Sequence, residues 1–341
     1  MMNKQFILSV LFVSAFGIFN FSFAQNETLL DKLEYFPDDA TRSHYLQRSD
    51  DIEQLLNSLN PENNLEERIE SFRVLISGFP LAAEFAAREY VTDESEEIAL
   101  GSVRLLENAL VMSDHSVSGS SSNSRMDFFH AKNEANVSAL RLALTDDRAS
   151  IRTSASQFLA SISDRVSLDI ISESTEEGVY DEGMAANLYS LAESYIGNEY
   201  LQEFLGNGDL IAQETAINYL GIFEEYQDQI RQSYFFNPDA ESSLRRSAAT
   251  VLSNFDSNFA DYALLITTEE NLDPEVFSTS ISGYVNSLDD LNLLDRFSAE
   301  SILSRIEQIS TANPMFDNIS NVAGSELESL GQRLESVVEN R

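Results

Sequence analysis

Asp239-Ala240-Glu241-Ser242-Ser243-Leu244-Arg245-Arg246-Ser247-Ala248-Ala249-Thr250-Val251-Leu252 is the stretch on which the fold of this chain turns. An acidic turn comes first, then an aliphatic residue followed by Arg. A small residue stands three after that Arg, and a large apolar residue four further on. Leu244, Ala248 and Leu252 therefore share one face of a helix. The same phrase recurs as Asp146-Asp147…Ile151-Arg152…Ala155…Leu159 and as Asp209…Ala212-Gln213…Ala216…Leu220. A degenerate copy is Asp273…Val276-Phe277…Ser280…Tyr284, and an early one is Ile98…Ser102…Leu106, where Ala99 replaces the Arg. Ala216, Ala248 and Ser280 lie 32 residues apart, and Ala185-Ala186 falls midway between Ala155 and Ala216. A period of this length on helical spacing predicts stacked helix pairs, because one such pair cannot shield its own apolar stripe. No stretch alternates with period two, so the expectation is all-α.

Outward from the repeats, the chain divides by composition. Lys4, an apolar run from Phe6 to Phe19 and the small-x-small Ser22-Phe23-Ala24 read as a secretory signal peptide over 1–24. The competing reading is an uncleaved membrane anchor, against which Ser9, Ser14, Asn20 and Ser22 interrupt the run. Residues 25–64 form a helical lead-in closed by Asn60-Pro61, and 65–296 hold the repeats. A serine-rich stretch at 113–125 without apolar periodicity is expected to be a flexible insert. Residues 297–341 break the period and are expected to supply closing helices, with Ile302 and Ile306 on one face and Leu330, Leu334 and Val337 on another.

The phrases at 146–159 and 239–252 resemble HEAT-like repeats of the shorter bacterial kind named after phycobilisome lyases. The resemblance covers about 65–288 and is strongest over 140–290. It implies a right-handed α-solenoid of HEAT-like helical hairpins, with N- and C-terminal capping helices, whose second helices line a concave surface. It also implies a ladder between neighbouring repeats made by the turn Asp and the helix Arg. Asp146/Arg152 and Asp239/Arg245 have the matching six-residue offset.

The charge excludes several partners. The chain carries −36, and loss of 1–24 removes only Lys4, giving −37. Such a surface repels nucleic-acid backbones and anionic headgroups. The acids are spread along the chain, as expected for a solvated surface. There is no cysteine, hence no disulfide, thiolate metal site or Cys nucleophile.

Chemistry-bearing motifs are sparse. His44, His115 and His130 form no HExxH and no i, i+4 pair; the last two flank the serine-rich stretch beside Asp114 and Asp127. Gly206-Asn207-Gly208-Asp209 lacks the other ligands of a calcium loop and reads as a helix-to-helix turn. Carboxylate pairs such as Asp38-Asp39 and Glu269-Glu270 lie in predicted turns. Aromatic residues concentrate between Tyr189 and Phe236. Tyr234, Phe235 and Phe236 cannot all face inward from one helix, so at least one ring should reach a surface or a neighbouring unit, and an exposed ring beside acidic groups would suit a peptide or Arg-rich partner.

These readings point to an exported protein- or peptide-binding scaffold at the cell envelope. No catalytic residue, cofactor or metal is expected, and no stable membrane insertion after signal cleavage. Two other classes stay open. One is an enzyme or enzyme accessory of the HEAT-like lyase type. The other is a calcium-dependent surface protein, motivated by the acidity alone.

Overall fold

The computed structural model describes residues 38–117, 123–266, 269, 272–287, 296–312 and 322–340. The signal-peptide segment 1–24 lies outside them. The described residues are mostly helical and contain no strand. The helices are α1 (Asp39–Gln47), α2 (Ser49–Ser58), α3 (Leu65–Gly78), α4 (Pro80–Tyr90), α5 (Glu96–Val117), α6 (Asn123–Leu142), α7 (Ala149–Ser161), α8 (Arg165–Glu176), α9 (Glu182–Tyr189), α10 (Ser194–Phe204), α11 (Leu210–Leu220), α12 (Glu224–Ile230), α13 (Ser242–Phe255), α14 (Phe259–Tyr262), α15 (Pro274–Ser287), α16 (Arg296–Ala312) and α17 (Val322–Asn340). A single wide π turn, Arg231–Phe235, continues α12.

The chain forms two compact units, 1–154 and 155–341, so the boundary falls inside α7. In the first unit, α3 packs on α2 and α4, and α4 packs on α5 and α6. In the second, α11 packs on α9 and α13, and α15 packs on α13 and α17. The intervening helices α8, α10 and α14 each pack on the helix that follows.

The repeated phrase explains this arrangement. Its small residues Ala155, Ala186, Ala216, Ala248 and Ser280 are all fully buried, as are Leu159, Leu220 and Leu252. Small side chains let neighbouring helices approach closely, and each buried large apolar chain contributes roughly 1.5–3 kcal/mol. Two glycines extend this logic. A Cβ on Gly221 would lie 2.6 Å from Val251, and one on Gly283 would lie 2.3 Å from the Ser253 Cβ. The acidic turns start the helices. Carboxylates of Asp164, Asp181 and Asp209 accept the backbone N–H groups of Ser167, Met184 and Ala212 at 3.0, 2.7 and 2.8 Å.

One feature departs from expectation. The serine-rich stretch is not a loop from end to end: α5 runs through 113–117 and α6 begins at Asn123. Ser and Asn are only mildly unfavourable inside a helix, so an established helix can continue through them. In the C-terminal segment, Leu330 and Leu334 of α17 are buried in the same continuous core as α9–α15. No helix among the described residues is long and apolar enough to cross a membrane.

Candidate functional site

The expected aromatic triplet is mostly interior. Tyr234 and Phe235 are buried, and Phe236 is half-buried. Phe235 makes edge-to-face contacts with Phe259 at 5.7 Å and Tyr262 at 5.6 Å, and Phe236 meets Tyr262 at 5.6 Å. The Tyr234 hydroxyl donates to Gln213 Oε1 at 3.1 Å. Phe235 and Phe236 thus reach the neighbouring helix rather than water, and the buried Tyr234 and Phe235 offer no ring to a partner, a correction to the partner-binding expectation for these two. The π turn changes the angle between successive side chains, so rings that one α-helix would splay apart enter one aromatic cluster.

The arginines of the phrase also take other partners. Arg152 donates to the backbone carbonyls of Asp146 and Asp147 at 2.6 and 3.2 Å, while the Asp146 carboxylate pairs with Arg148 at 2.8 Å. That hydrogen bond from Arg148 holds the Asp146 carboxyl below the usual aspartate range. Arg245 reaches Glu269 at 3.0 Å and the Phe235 carbonyl at 3.2 Å, whereas Asp239 is exposed. Arg152 thus meets the backbone of Asp146, whose carboxylate also feels its charge, and Arg245 takes Glu269.

Other ion pairs join residues 24 or 25 apart. Arg68 clamps buried Asp93, Arg73 meets Glu97 at 2.9 Å, and Arg231 meets Asp256 at 2.7 Å. The Asp256 carboxylate also accepts the Tyr262 hydroxyl at 2.6 Å, and the Arg231 guanidinium lies 4.5 Å from the Tyr262 ring centre. Burial alone would raise the Asp256 carboxyl. Hydrogen bonds from Tyr262, the Asn258 N–H and Arg231 outweigh it and hold this group low. Burial, then the Asp256 carboxylate, pushes the Tyr262 phenol up.

The surface feature that sequence reading missed lies at the turns leaving the phrase helices. Ile162, Leu191, Ile222 and Phe255 are 45, 49, 44 and 51 % exposed. They follow the last large apolar residue of each phrase helix by two or three positions and recur at steps of 29, 31 and 33. Val166 and Tyr195, one helical turn beyond the first two, are exposed as well. One contact joins successive turns directly, and two more join a turn to the next phrase helix. The Glu193 N–H donates to Ser163 Oγ at 2.7 Å, with Ser163 in the left-handed region at φ +57°. The Tyr219 hydroxyl donates to the Ala192 carbonyl at 3.4 Å, and Gly221 abuts Val251. Single exposed apolar residues are ordinary, and it is the recurrence at one place per repeat that sets these four apart. Its period of about thirty was the available signal. An apolar residue at a helix end reads as core in a single window, and only comparison across repeats shows it left outside.

Tyrosine–carboxylate pairs stand beside the row. Tyr195 is 69 % exposed, and its hydrogen bond to Glu193 raises its phenol. Burial and then Glu225 raise Tyr226. The Tyr200 hydroxyl donates to Asp169 at 2.6 Å, and burial with that carboxylate pushes its pKa up to about 12.

Other candidates hold less. His44 is exposed and stacked on Phe79 at 5.6 Å. The side chains of His115 and His130 lie outside the described residues. No group of three or more His, Asp or Glu able to hold a metal occurs among the described residues. Gly206 adopts φ +94° and Asp209 caps α11, so this turn serves two helix ends. An open polar cleft of about 630 Å³ lies between α2 and α3, lined by Asp50, Glu53, Asn57, Asn63 and Glu67 among others. No protein-family model matches the chain, and no curated protein matches it.

Proposed function

We propose that this chain is an exported, non-catalytic scaffold that binds another protein or peptide at the cell envelope. The architecture attached to this reading is a right-handed α-solenoid of HEAT-like hairpins with capping helices at both ends. It is supported by the successive packing of α9, α11, α13 and α15, by the buried small residue at the centre of each phrase, and by α17 packing on α15. Export rests on the leader-like composition of 1–24.

The observation that carries binding is the aligned row of Ile162, Leu191, Ile222 and Phe255. Four large apolar side chains kept in water at equivalent places bring little to the core and are suited to a partner. The test is capture from an envelope fraction of the source cells, using immobilised mature protein and the variant Ile162→Ser/Leu191→Ser/Ile222→Ser/Phe255→Ser. Expected is a saturable partner retained by the wild type and lost by a variant that melts normally. Equal retention by both would refute the assignment of binding to this row.

A further inference from the structure

We propose that the turn row seats a basic segment of a partner polypeptide, its apolar side chains on Ile162, Leu191, Ile222 and Phe255 and its Arg or Lys side chains in the neighbouring tyrosine–carboxylate pairs. This deepens the scaffold reading above and rests on it.

Charge complementarity selects the occupant. In the four turns and the residues just after them (162–166, 191–195, 222–226 and 255–261), the acids are Asp164, Glu193, Glu224, Glu225, Asp256 and Asp261. Asp256 is buried and paired with Arg231, but Glu193, Glu224, Glu225 and Asp261 are exposed. The one cation in these ranges is Arg165, already held by Glu199 at 2.5 Å. The field over the row is therefore negative and attracts cationic ligands while repelling anionic ones. A second copy of this chain would set carboxylate against carboxylate.

The seats have a matching chemistry. A phenol ring with a carboxylate at its edge offers a guanidinium both a π face and a charged acceptor. Tyr195 with Glu193 and Tyr226 with Glu225 repeat this arrangement 31 residues apart, on α10 and α12. Tyr200 with Asp169 adds a third pair between α8 and α10. Packed helices lie roughly 8–10 Å apart. An extended chain covers such a step in about three residues at ~3.3 Å each. The occupant is thus an extended segment of about ten residues, with an apolar side chain near every third position and basic residues between.

The test uses a dye-labelled synthetic peptide of about twelve residues, four Leu-Arg-Ser units, followed by fluorescence anisotropy against the mature protein. Two control peptides carry Glu in place of Arg, or the same residues with the leucines clustered. Expected is saturable binding that weakens about tenfold or more in Leu191→Ser/Ile222→Ser and in Glu193→Gln/Glu225→Gln. Only the second variant should also flatten the salt dependence. The variant Val179→Ser/Leu265→Ser, exposed apolar residues outside the row, should bind as wild type. All variants are compared by melting temperature, since these side chains lie at the surface.

Equal binding by the row variants, or equal binding of the acidic or leucine-clustered peptide, overturns the proposal. So does row-dependent attachment to phosphatidylcholine vesicles or row-dependent self-association with no peptide binding. If a captured envelope partner depends on the row yet contacts it through a neutral or acidic segment, the basic-segment proposal fails and the scaffold reading stands. If capture is indifferent to the row while the peptide still binds there, the assignment of envelope binding to the row fails instead.

Discussion

Two sets of residues in the second unit share a period of about thirty and have opposite fates. Ala155, Ala186, Ala216, Ala248 and Ser280 are fully buried, whereas Ile162, Leu191, Ile222 and Phe255 stand about half in water. Core packing explains the first set completely, since a larger side chain would separate neighbouring helices. It does not explain the second, because the phrase helices are already buried by Leu159, Leu220 and Leu252. Recurrence of large apolar residues where packing does not require them is the observation on which the proposed contact surface rests. Phe255 and Asp256 put the contrast into adjacent residues: one ring is exposed, and the next carboxylate is buried and clamped.

The strongest way to break the interior side of this contrast is to remove the buried Asp256 carboxylate. Asp256→Ala should cost about 3 kcal/mol, because the Tyr262 hydroxyl loses its acceptor and Arg231 keeps only the exposed Asp228 at 2.9 Å; urea denaturation measures it. The same group gives a pH signature. A carboxyl held low in the folded state stabilises the fold above the ordinary aspartate range. That contribution fades as pH falls through about 4 toward the lowered folded value. Asp256→Asn should therefore flatten the acid limb of a stability–pH curve. An unchanged limb would show that this clamp contributes little.

Next in size is Ala248→Leu, which should destabilise by about 1–3 kcal/mol through overpacking between α11, α13 and α15. Asp209→Ala removes the cap of α11 and should cost about 0.5–2 kcal/mol. The smallest stability effect is expected at the edge. Ile222→Ser should shift unfolding by no more than about 0.5 kcal/mol, as surface substitutions do, while weakening partner retention. A large loss of stability there would move Ile222 from the contact row into the core.

The interior was legible in the sequence because its signals are local. Spacings of four and eight place Leu244, Ala248 and Leu252 on one face, and Asp209 announces the helix start that it caps. The arginine pairing was not legible. Arg231–Asp256 and Arg68–Asp93 depend on how a helix lies against a turn some 25 residues away, which no window within one helix reports. The six-residue offset of HEAT-like repeats brings Arg152 to the backbone of Asp146, whereas Arg245 reaches Glu269, 24 residues on. The burial of Tyr234 and Phe235 was not legible because both lie in a π turn, where side chains do not follow the facing rule of an α-helix. The edge row was missed for a related reason. Exposure of Leu191 or Ile222 is a property of the packed array, not of the helix that ends beside it.

Whether successive turns lie side by side is the premise shared by the interior and the edge, and the absence of cysteine allows it to be read without background. The measurement is mild oxidation of Ser163→Cys/Glu193→Cys, scored by mobility on a non-reducing gel, beside Ser163→Cys/Phe255→Cys. The Glu193 N–H and the Ser163 hydroxyl meet at 2.7 Å, so the first pair should close into an intramolecular disulfide. The second pair, with two turns between its members, should remain reduced. An open 163/193 pair, or equal closure of 163/255, would contradict the stacking on which both rows depend.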